Sequence, residues 1–288
     1  MNQLIADNRV KTLRTYLLDA LLSCYEEREA GNLIHQLFEA YNGWSRSDVV
    51  MNANQRLGES ELLKYHFALK RLVKGEPLHY VLGFAWFMNM KMAVNSHVLI
   101  PRPETEELVR LVVRRNTLAE PHILDIGSGS GCIAIGLKKH IQQAKVSGLD
   151  IDEDALQIAR SNAASNHTPI EFLQLNILDE IPKGKFNIIV SNPPYIAPAE
   201  AEDMSHRVTF HEPHIALFTP HEDALIFYRR LMELTPQLLH SGGIAYCEIH
   251  ENKADELVAL AQDYPIHSVE IHKDLQNKNR IITWTNAL

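Results

Sequence analysis

The feature that most constrains the fold is a regular alternation of short apolar runs with amphipathic stretches after residue 121. The apolar runs have the length and composition of strands, whereas the stretches between them repeat apolar residues at helical spacing. Such alternation is typical of an α/β fold, in which parallel strands form one sheet with helices on both faces. The predicted strands cover 122–126, 146–151, 170–176, 186–191 and 243–249, and the predicted helices cover 131–140, 153–164, 223–239 and 251–263. Two final strands, 267–272 and 280–285, have no helix between them and predict an antiparallel hairpin at the sheet edge.

The chain before this region has a different pattern. Three apolar stripes at helical spacing, separated by short loops, predict a small helical bundle. The segment that follows is rich in aromatic, Met and Val residues, with Asn89 near its middle, and predicts a β-hairpin. We therefore expect a helical domain over 1–83, a hairpin linker over 84–100 and an α/β domain over 101–288.

Charge and cysteine content argue against several classes of protein. The 36 acidic residues outnumber the 28 basic ones, so the net charge is −8, which disfavours a nucleic-acid grip spread over the surface. The three cysteines are odd in number and widely spaced, so we expect no disulfide framework and a reducing, cytoplasmic setting. No apolar run approaches the ~18 residues that a membrane span requires.

The strongest local motif is a glycine loop after the first strand of the alternating region. It reads Gly127-Ser128-Gly129-Ser130-Gly131, and Asp125 lies two residues before it. Glycines at alternate positions let the backbone turn sharply and let a ligand lie against it. A dinucleotide loop would have its third glycine where this chain has Cys132. The spacing instead suits a nucleoside with a charged sulfur tail, whose ammonium or sulfonium group Asp125 could attract.

Residues at two later strand ends extend this predicted cofactor site. Asp150 lies 23 residues after Gly127, and its carboxylate can accept both ribose hydroxyl protons. We interpret the nearby Asp152 as the N-cap of the next helix. Asn176 could hydrogen-bond an adenine edge while Ile177 packs on its face, and a simple turn role for Asn176 is the alternative.

A turn stiffened by two prolines predicts the reacting site at the end of the fourth strand. It reads Asn192-Pro193-Pro194-Tyr195, and its carbonyls stay unpaired because proline restricts φ and donates no N–H. The Asn192 side-chain oxygen and the Pro193 carbonyl are then two fixed acceptors for a planar NH2 group, which they aim toward a cofactor methyl group. Tyr195 can present its ring face to a planar substrate or to a cation. The alternative is a turn that only closes a strand.

These residues resemble the S-adenosylmethionine-dependent methyltransferases with a Rossmann-like seven-stranded sheet. Within that group, the chain is similar to the family of peptide-chain release factor glutamine methyltransferases. The further motifs that carry the resemblance are 77–83, 99–106, 212–217 and Arg280. The chain departs from the family pattern at His79, where Gln is usual, at Asn176, where Asp is frequent, and over 219–225, which replaces Gly-Gly-x-Asp-Gly-Leu.

The resemblance implies methylation of the side-chain amide nitrogen of the glutamine in a Gly-Gly-Gln tripeptide of release factors, with S-adenosylmethionine as cofactor. It implies that the glycine loop and Asp150 hold the cofactor, that Asn176 and Ile177 flank its adenine, and that residues 192–195 hold the glutamine, with Asn192 also touching the cofactor. Arg102 and Glu104 are expected to line the substrate cleft, and a surface salt-bridge role is the alternative. The resemblance also implies that the helical domain over 1–83 binds the substrate protein. We expect a monomer without direct nucleic-acid contact.

Other functions stay open at this point. An enzyme acting on exocyclic amines of DNA or RNA should show a basic face, and the sister family that methylates a ribosomal-protein glutamine resembles Arg-Ser-Pro where this chain has Arg102-Pro103-Glu104. A nicotinamide oxidoreductase is opposed by Cys132, and a non-catalytic partner subunit is opposed by the intact Asp125, Asp150 and Asn192. We interpret the histidines between His206 and His221 as part of a solvent-exposed loop and not as metal ligands, and no metal is expected.

Overall fold

The protein is described by a computed structural model over residues 7–203 and 206–286. Its contacts divide the chain into two units, Met1–Gly83 and Phe84–Leu288. The boundary falls at the start of the predicted hairpin, and the hairpin residues group with the second unit.

The first unit is helical because its apolar residues recur at helical spacing and form one buried core. Its helices are α1 (Val10–Leu21), α2 (Glu27–Asn42), α3 (Arg46–Met51), α4 (Glu59–Leu72) and α5 (Leu78–Leu82). Helix α2 ends at Gly43, whose φ of +70° is the left-handed conformation common at helix C-termini. Helices α3 and α5 have no counterpart among the predicted elements, since each is too short to show a periodic stripe.

The second unit begins with an antiparallel hairpin of β1 (Phe84–Phe87) and β2 (Met90–Ala93). Both turn residues have positive φ, +48° at Met88 and +62° at Asn89, which matches the right-handed twist of a tight hairpin. The Glu106 carboxylate accepts a hydrogen bond from the Met88 backbone nitrogen at 2.6 Å. Phe87 and Met92 are buried in the core of this unit. The hairpin is thus shorter than the predicted 84–100, and residues 98–100 form no strand.

The central sheet has seven strands in the order β5-β4-β3-β6-β7-β9-β8. The strands are β3 (His122–Ile126), β4 (Lys145–Asp150), β5 (Glu171–Gln174), β6 (Phe186–Ser191), β7 (Leu239–Glu248), β8 (Ile266–Lys273) and β9 (Asn279–Asn286). Strands β3 to β7 pair in parallel, and β9 is antiparallel to both β7 and β8. This topology confirms the predicted α/β class, the seven-stranded sheet and the hairpin at its edge.

Helices cover both faces of this sheet, as the alternation predicts. The helices of this unit are α6 (Pro103–Arg115), α7 (Cys132–His140), α8 (Glu153–Ser165), α9 (His206–His211), α10 (His214–Leu217), α11 (Ile226–Leu238) and α12 (Ala254–Ala261). One core joins α6, α7 and α8 to the sheet, and the other joins α11 and α12 to it. The predicted helix over 223–239 begins later, at Ile226, because the Asp223 carboxylate accepts a bond from the Leu225 nitrogen at 3.0 Å and forms a turn.

Within residues 7–203 and 206–286, no helix combines the length and the apolar character that crossing a membrane requires.

Candidate active site

A cavity of about 420 Å³ opens at the carboxyl ends of β3, β4 and β6. Strand β4 lies on one side of β3 and β6 on the other, so the loops that follow them diverge and leave a crevice, the usual ligand position in open α/β sheets. The volume falls in the range of ~300–1,000 Å³ that small-molecule sites occupy. The lining comes from the glycine loop, the end of β4, residues 175–178, the turn after β6 and the segment 214–220.

The glycine loop has a conformation that other residues rarely adopt. Its φ values are +74° at Gly127, +51° at Gly129 and +78° at Gly131. A Cβ built on Gly127 or Gly129 would meet no atom within 4 Å, whereas one on Gly131 would lie 3.1 Å from the Ala159 Cβ and 3.2 Å from the Phe172 ring. The first two glycines therefore leave room beside the backbone, and the third allows α8 and β5 to pack closely against the loop.

Asp150 ties the glycine loop to the start of α8. Its Oδ2 accepts from the Gly129 nitrogen at 2.8 Å, and its Oδ1 accepts from the Asp152 nitrogen at 3.0 Å. The side chain also lines the cavity, and burial raises its pKa. Each oxygen has a second lone pair, so acceptors for sugar hydroxyls are still available. Asp152 accepts from the Asp154 nitrogen at 2.9 Å, which confirms its interpretation as the N-cap of α8.

Asp125 lies behind the loop. It is absent from the described residues that line the cavity, although Ser128 and Ser130 are among them. Its Oδ2 accepts from the Ala134 nitrogen at 3.2 Å, and its Oδ1 has no hydrogen-bond partner among the described residues. Burial raises the pKa of this carboxyl to about 7. Open space beside the glycines and the Asp150 carboxylate on the cavity wall together fit a ligand with sugar hydroxyls, whereas Asp125 lies off that wall.

Asn176 and Ile177 both line the cavity. The Asn176 side-chain nitrogen donates to the Asp179 carboxylate at 2.5 Å, and its side-chain oxygen accepts from the Leu178 nitrogen at 3.1 Å. These bonds favour the turn role for Asn176, while one lone pair on its oxygen is still available. Ile177 is 5% exposed and supplies an apolar wall.

Asn192 is held from behind by a hydrogen-bonded chain of side chains. Its Nδ2 donates to the Thr105 Oγ1 at 3.2 Å, and the Thr105 hydroxyl donates to the Glu248 Oε2 at 2.7 Å. Neither Thr105 nor Glu248 is among the predicted site residues. An acidic residue that ends an apolar strand and a threonine in the first turn of a helix carry no local signal of their own.

The rest of the proline turn lines two adjoining cavities. Pro193 and Pro194 line both the main cavity and a second one of about 230 Å³. Tyr195 lines the second cavity and is not among the described residues that line the main one. Burial raises the pKa of its hydroxyl to about 12. Among the backbone groups and side chains that the structure describes, no hydrogen-bond donor reaches the Pro193 carbonyl or the Asn192 Oδ1.

Arg102 lines both cavities and is also part of an ion pair. Its guanidinium lies 2.6 Å from the Glu212 Oε1, and the other Glu212 oxygen accepts from the Ile100 nitrogen at 3.4 Å. The Glu212 side chain is 2% exposed, so this ion pair connects the segment after α9 to the start of α6. Glu104, by contrast, lines neither cavity in the part of the chain that the structure describes.

Asn162 on α8 is a further residue that sequence reasoning missed. Its amide exchanges hydrogen bonds with both backbone groups of Ala93 and donates to the Ser130 carbonyl at 2.9 Å. The side chain is 2% exposed, so a buried amide connects the hairpin to the glycine loop. A polar residue in a helix interior is the available signal, because burying an amide without partners is costly.

The histidine-rich segment contributes one of its described histidines to the cavity. His214 lines it and forms a hydrogen bond with the Thr209 carbonyl at 2.7 Å. The side chain of His206 lies outside the described residues. The described residues with ligand atoms close enough for a metal are His97, Asp152 and Asp154, where His97 lies 3.7–3.9 Å from the two carboxylates.

Known protein families match each of the two units of the chain. The family model "Methyltransferase small domain" matches residues 105–219, and the model "PrmC N-terminal domain" matches residues 16–83. A release factor glutamine methyltransferase of Flavobacterium psychrophilum is 37% identical over 95% of this chain and 98% of its own length. The protein of the same name from Bacteroides thetaiotaomicron is 37% identical over 94% of this chain and 98% of its own.

Among solved structures, a methyltransferase from Pyrococcus furiosus superposes with a TM-score of 0.52. It covers 76% of this chain and 98% of its own, at 16% identity. At this identity, the likeness supports the fold alone.

Proposed function

The chain belongs to the release factor glutamine methyltransferase family, and from that premise we propose the reaction it catalyses and the residues that carry it. The enzyme transfers a methyl group from S-adenosylmethionine to the side-chain amide nitrogen of the glutamine in the Gly-Gly-Gln tripeptide of a peptide-chain release factor. The observation that carries this proposal is the Asn192 side chain, whose nitrogen is engaged by Thr105 at the edge of a cavity bounded by the glycine loop.

S-adenosylmethionine supplies, when bound, a methyl group on a positively charged sulfur. The residues that would hold it are the backbone from Gly127 to Gly131, with the room beside its first two glycines, and Asp150 at the ribose. Ile177 supplies a wall for the adenine, and Asn176 has one acceptor toward its edge. Asp125 lies behind the loop, where its buried carboxyl, with a pKa of about 7, adds negative charge as the pH rises above neutrality, and its Oδ1 has no partner among the described residues.

The proline turn orients the amide that reacts. An amide nitrogen is a poor nucleophile because its lone pair is delocalised, so its orientation supplies much of the rate, and near-attack positioning can contribute ~7–11 kcal/mol. The Asn192 Oδ1 and the Pro193 carbonyl accept the two amide hydrogens and point the nitrogen in one direction. The same two oxygens stabilise the positive charge that grows on nitrogen as its bond to the methyl carbon forms and the carbon–sulfur bond breaks. That charge makes the nitrogen acidic, and it then loses one of its protons to solvent. The ring of Tyr195 packs against the planar amide from the second cavity.

The remaining parts of the proposal concern the substrate protein and the setting. The helical unit recognises the release factor, and Arg102, held by Glu212, lines the entrance for the tripeptide. The protein works as a monomer in the cytoplasm without direct contact to nucleic acid, in keeping with its net charge of −8.

Transfer of a labelled methyl group tests the proposal. The purified protein is incubated with labelled cofactor and, separately, a release factor, the same factor with its tripeptide glutamine replaced by alanine, a ribosomal-protein fraction and duplex DNA. We expect label on the unaltered release factor alone. Label on DNA alone, or equal label on the factor that lacks the glutamine, would contradict the proposed substrate.

A further inference from the structure

Three side chains from three different elements form a continuous hydrogen-bonded chain that ends at the cavity. Glu248 is the last residue of β7, Thr105 lies in the first turn of α6, and Asn192 follows β6. The Glu248 and Thr105 side chains are buried, at 2% and 3% exposure. The two bonds, of 2.7 and 3.2 Å, are within hydrogen-bond range.

The chemistry of these groups determines which one donates and which one accepts in each hydrogen bond. A carboxylate only accepts hydrogen bonds, whereas a threonine hydroxyl has a single hydrogen to donate. Because Thr105 gives that hydrogen to Glu248, its oxygen can only accept from Asn192. The Asn192 amide must then present its nitrogen to Thr105, and its oxygen is turned away from Thr105.

We propose that Thr105 and Glu248 are positioning residues, which hold the Asn192 amide in the orientation that offers its oxygen to the substrate. This inference rests on the proposed function, since only an amine or amide substrate needs an acceptor at this place. If the amide were turned over, Asn192 would present a donor toward the donor hydrogens of the substrate, and the two groups would repel.

The orientation depends on the charge of Glu248. Burial raises the pKa of the Glu248 carboxyl to about 7, while the hydrogen bond from Thr105 and the charge of Arg280 oppose that rise. The titratable or charged groups around this carboxyl are Arg280 from β9, Arg102 and Glu104 at the start of α6, Tyr195 after β6, Tyr228 from α11 and Cys132 from α7.

Protonation of Glu248 would reverse the donor and acceptor roles in these two hydrogen bonds. The protonated carboxyl can donate to Thr105, and the Thr105 hydroxyl can then donate to Asn192, whose oxygen would turn inward. We therefore expect turnover to fall as the pH is lowered through about 7, the pKa of Glu248.

Three variants test the positioning role. Thr105→Val keeps the shape but removes the hydroxyl, Thr105→Ser keeps the hydroxyl, and Glu248→Gln replaces the titrating acceptor with a neutral amide. We expect kcat to fall by up to ~10²-fold in Thr105→Val, because small misplacements of a reacting group can cost that much. KM for the release factor should change less, and Thr105→Ser should recover most of the wild-type kcat. Both Thr105→Val and Glu248→Gln should lose the fall in rate below about pH 7.

The matched control is Thr235→Val, because Thr235 is also a buried threonine of this unit, and its hydroxyl accepts from the Trp284 nitrogen at 2.8 Å outside both cavities. This variant should keep the wild-type kcat and pH profile. Binding of S-adenosylhomocysteine shows that each variant is folded. If Thr105→Val does not fold, the other two variants still test the positioning role. Thr105→Ser keeps the hydroxyl and should keep most of the wild-type kcat, and Glu248→Gln removes the titrating group and should lose the acid fall in rate.

The outcomes separate the two proposals. A wild-type protein that leaves the release factor unlabelled contradicts the proposed function and the positioning role together. Wild-type label combined with an unchanged kcat in Thr105→Val contradicts the positioning role alone. So does a serine variant as slow as the valine variant, or an acid fall in rate that persists in Thr105→Val or in Glu248→Gln.

Discussion

At the scale of single residues, Asn192 is the side chain whose removal should slow the methyl-transfer step most. Replacing it with alanine removes one oriented acceptor at the nitrogen where charge develops, so Asn192→Ala should lower turnover by ~10²–10³. Cofactor affinity should change far less, because the glycine loop and Asp150 are intact. Single-turnover methylation and a binding titration with S-adenosylhomocysteine measure the two effects separately.

A suitable control is Asn116→Ala, which removes an asparagine whose side chain bonds to the Leu118 carbonyl at the end of α6 and lines neither cavity. Its turnover should match the wild type. If Asn192→Ala turns over as fast as the control, the proposed role of Asn192 in the reaction is contradicted.

At the scale of elements, the glycine loop shows how one short segment meets two demands. Gly127 and Gly131 both have positive φ, but of the two only Gly131 is a position where an added Cβ would lie within 3.3 Å of atoms in α8 and β5. An alanine at either position costs ~1–2 kcal/mol for the left-handed conformation. Gly131→Ala should lower the free energy of unfolding further than Gly127→Ala, because its methyl group would press on Ala159 and Phe172.

Urea unfolding of the two cofactor-free variants makes this comparison within one loop. We expect Gly127→Ala to weaken cofactor binding, since its methyl group enters the open space beside the backbone, with the smaller loss of stability. Equal losses of stability in both variants would mean that α8 and β5 move apart at little cost.

At the scale of the whole molecule, a buried acid behind the cofactor loop should affect stability. Burial raises the pKa of Asp125 to about 7 in the folded chain, whereas an unfolded aspartate has a pKa of ~3.9. Between these values the folded state binds more protons, so this contribution to stability is present at low pH and is lost as the pH rises through about 7.

We therefore expect Asp125→Asn to gain stability relative to the wild type as the pH rises from ~4 to ~7, by a few kcal/mol in total, and to keep a constant difference above that. Thermal or urea unfolding of cofactor-free protein over this range measures it. The control Glu270→Gln removes an exposed carboxyl whose pKa is lowered by Arg115, so its difference from the wild type should change only at more acidic pH. A difference for Asp125→Asn that does not vary with pH would contradict the expectation.

Local patterns in the chain predicted most of the architecture. Strand length, helical spacing and the glycine motif are properties of neighbouring residues, so 122–126 and 186–191 were located with the bounds that β3 and β6 have. Elements without a periodic stripe, such as α3, α9 and α10, were missed because each is shorter than two helical turns. The hairpin ends at Ala93, since residues 98–100 find no partner strand among the described residues.

The sequence by itself determined the class of fold, the family and the three motifs that surround the cavity, because each depends on residue type and spacing along a few turns of chain. Only the tertiary structure decided what surrounds those motifs. It brings Thr105 and Glu248, far apart in the chain, into one hydrogen-bonded line behind Asn192. It also keeps Asp125 behind the glycine loop and leaves Glu104 off both cavity walls. Burial and the direction of a hydrogen bond depend on all the elements that pack around a group, and that information is not contained in any single stretch of sequence.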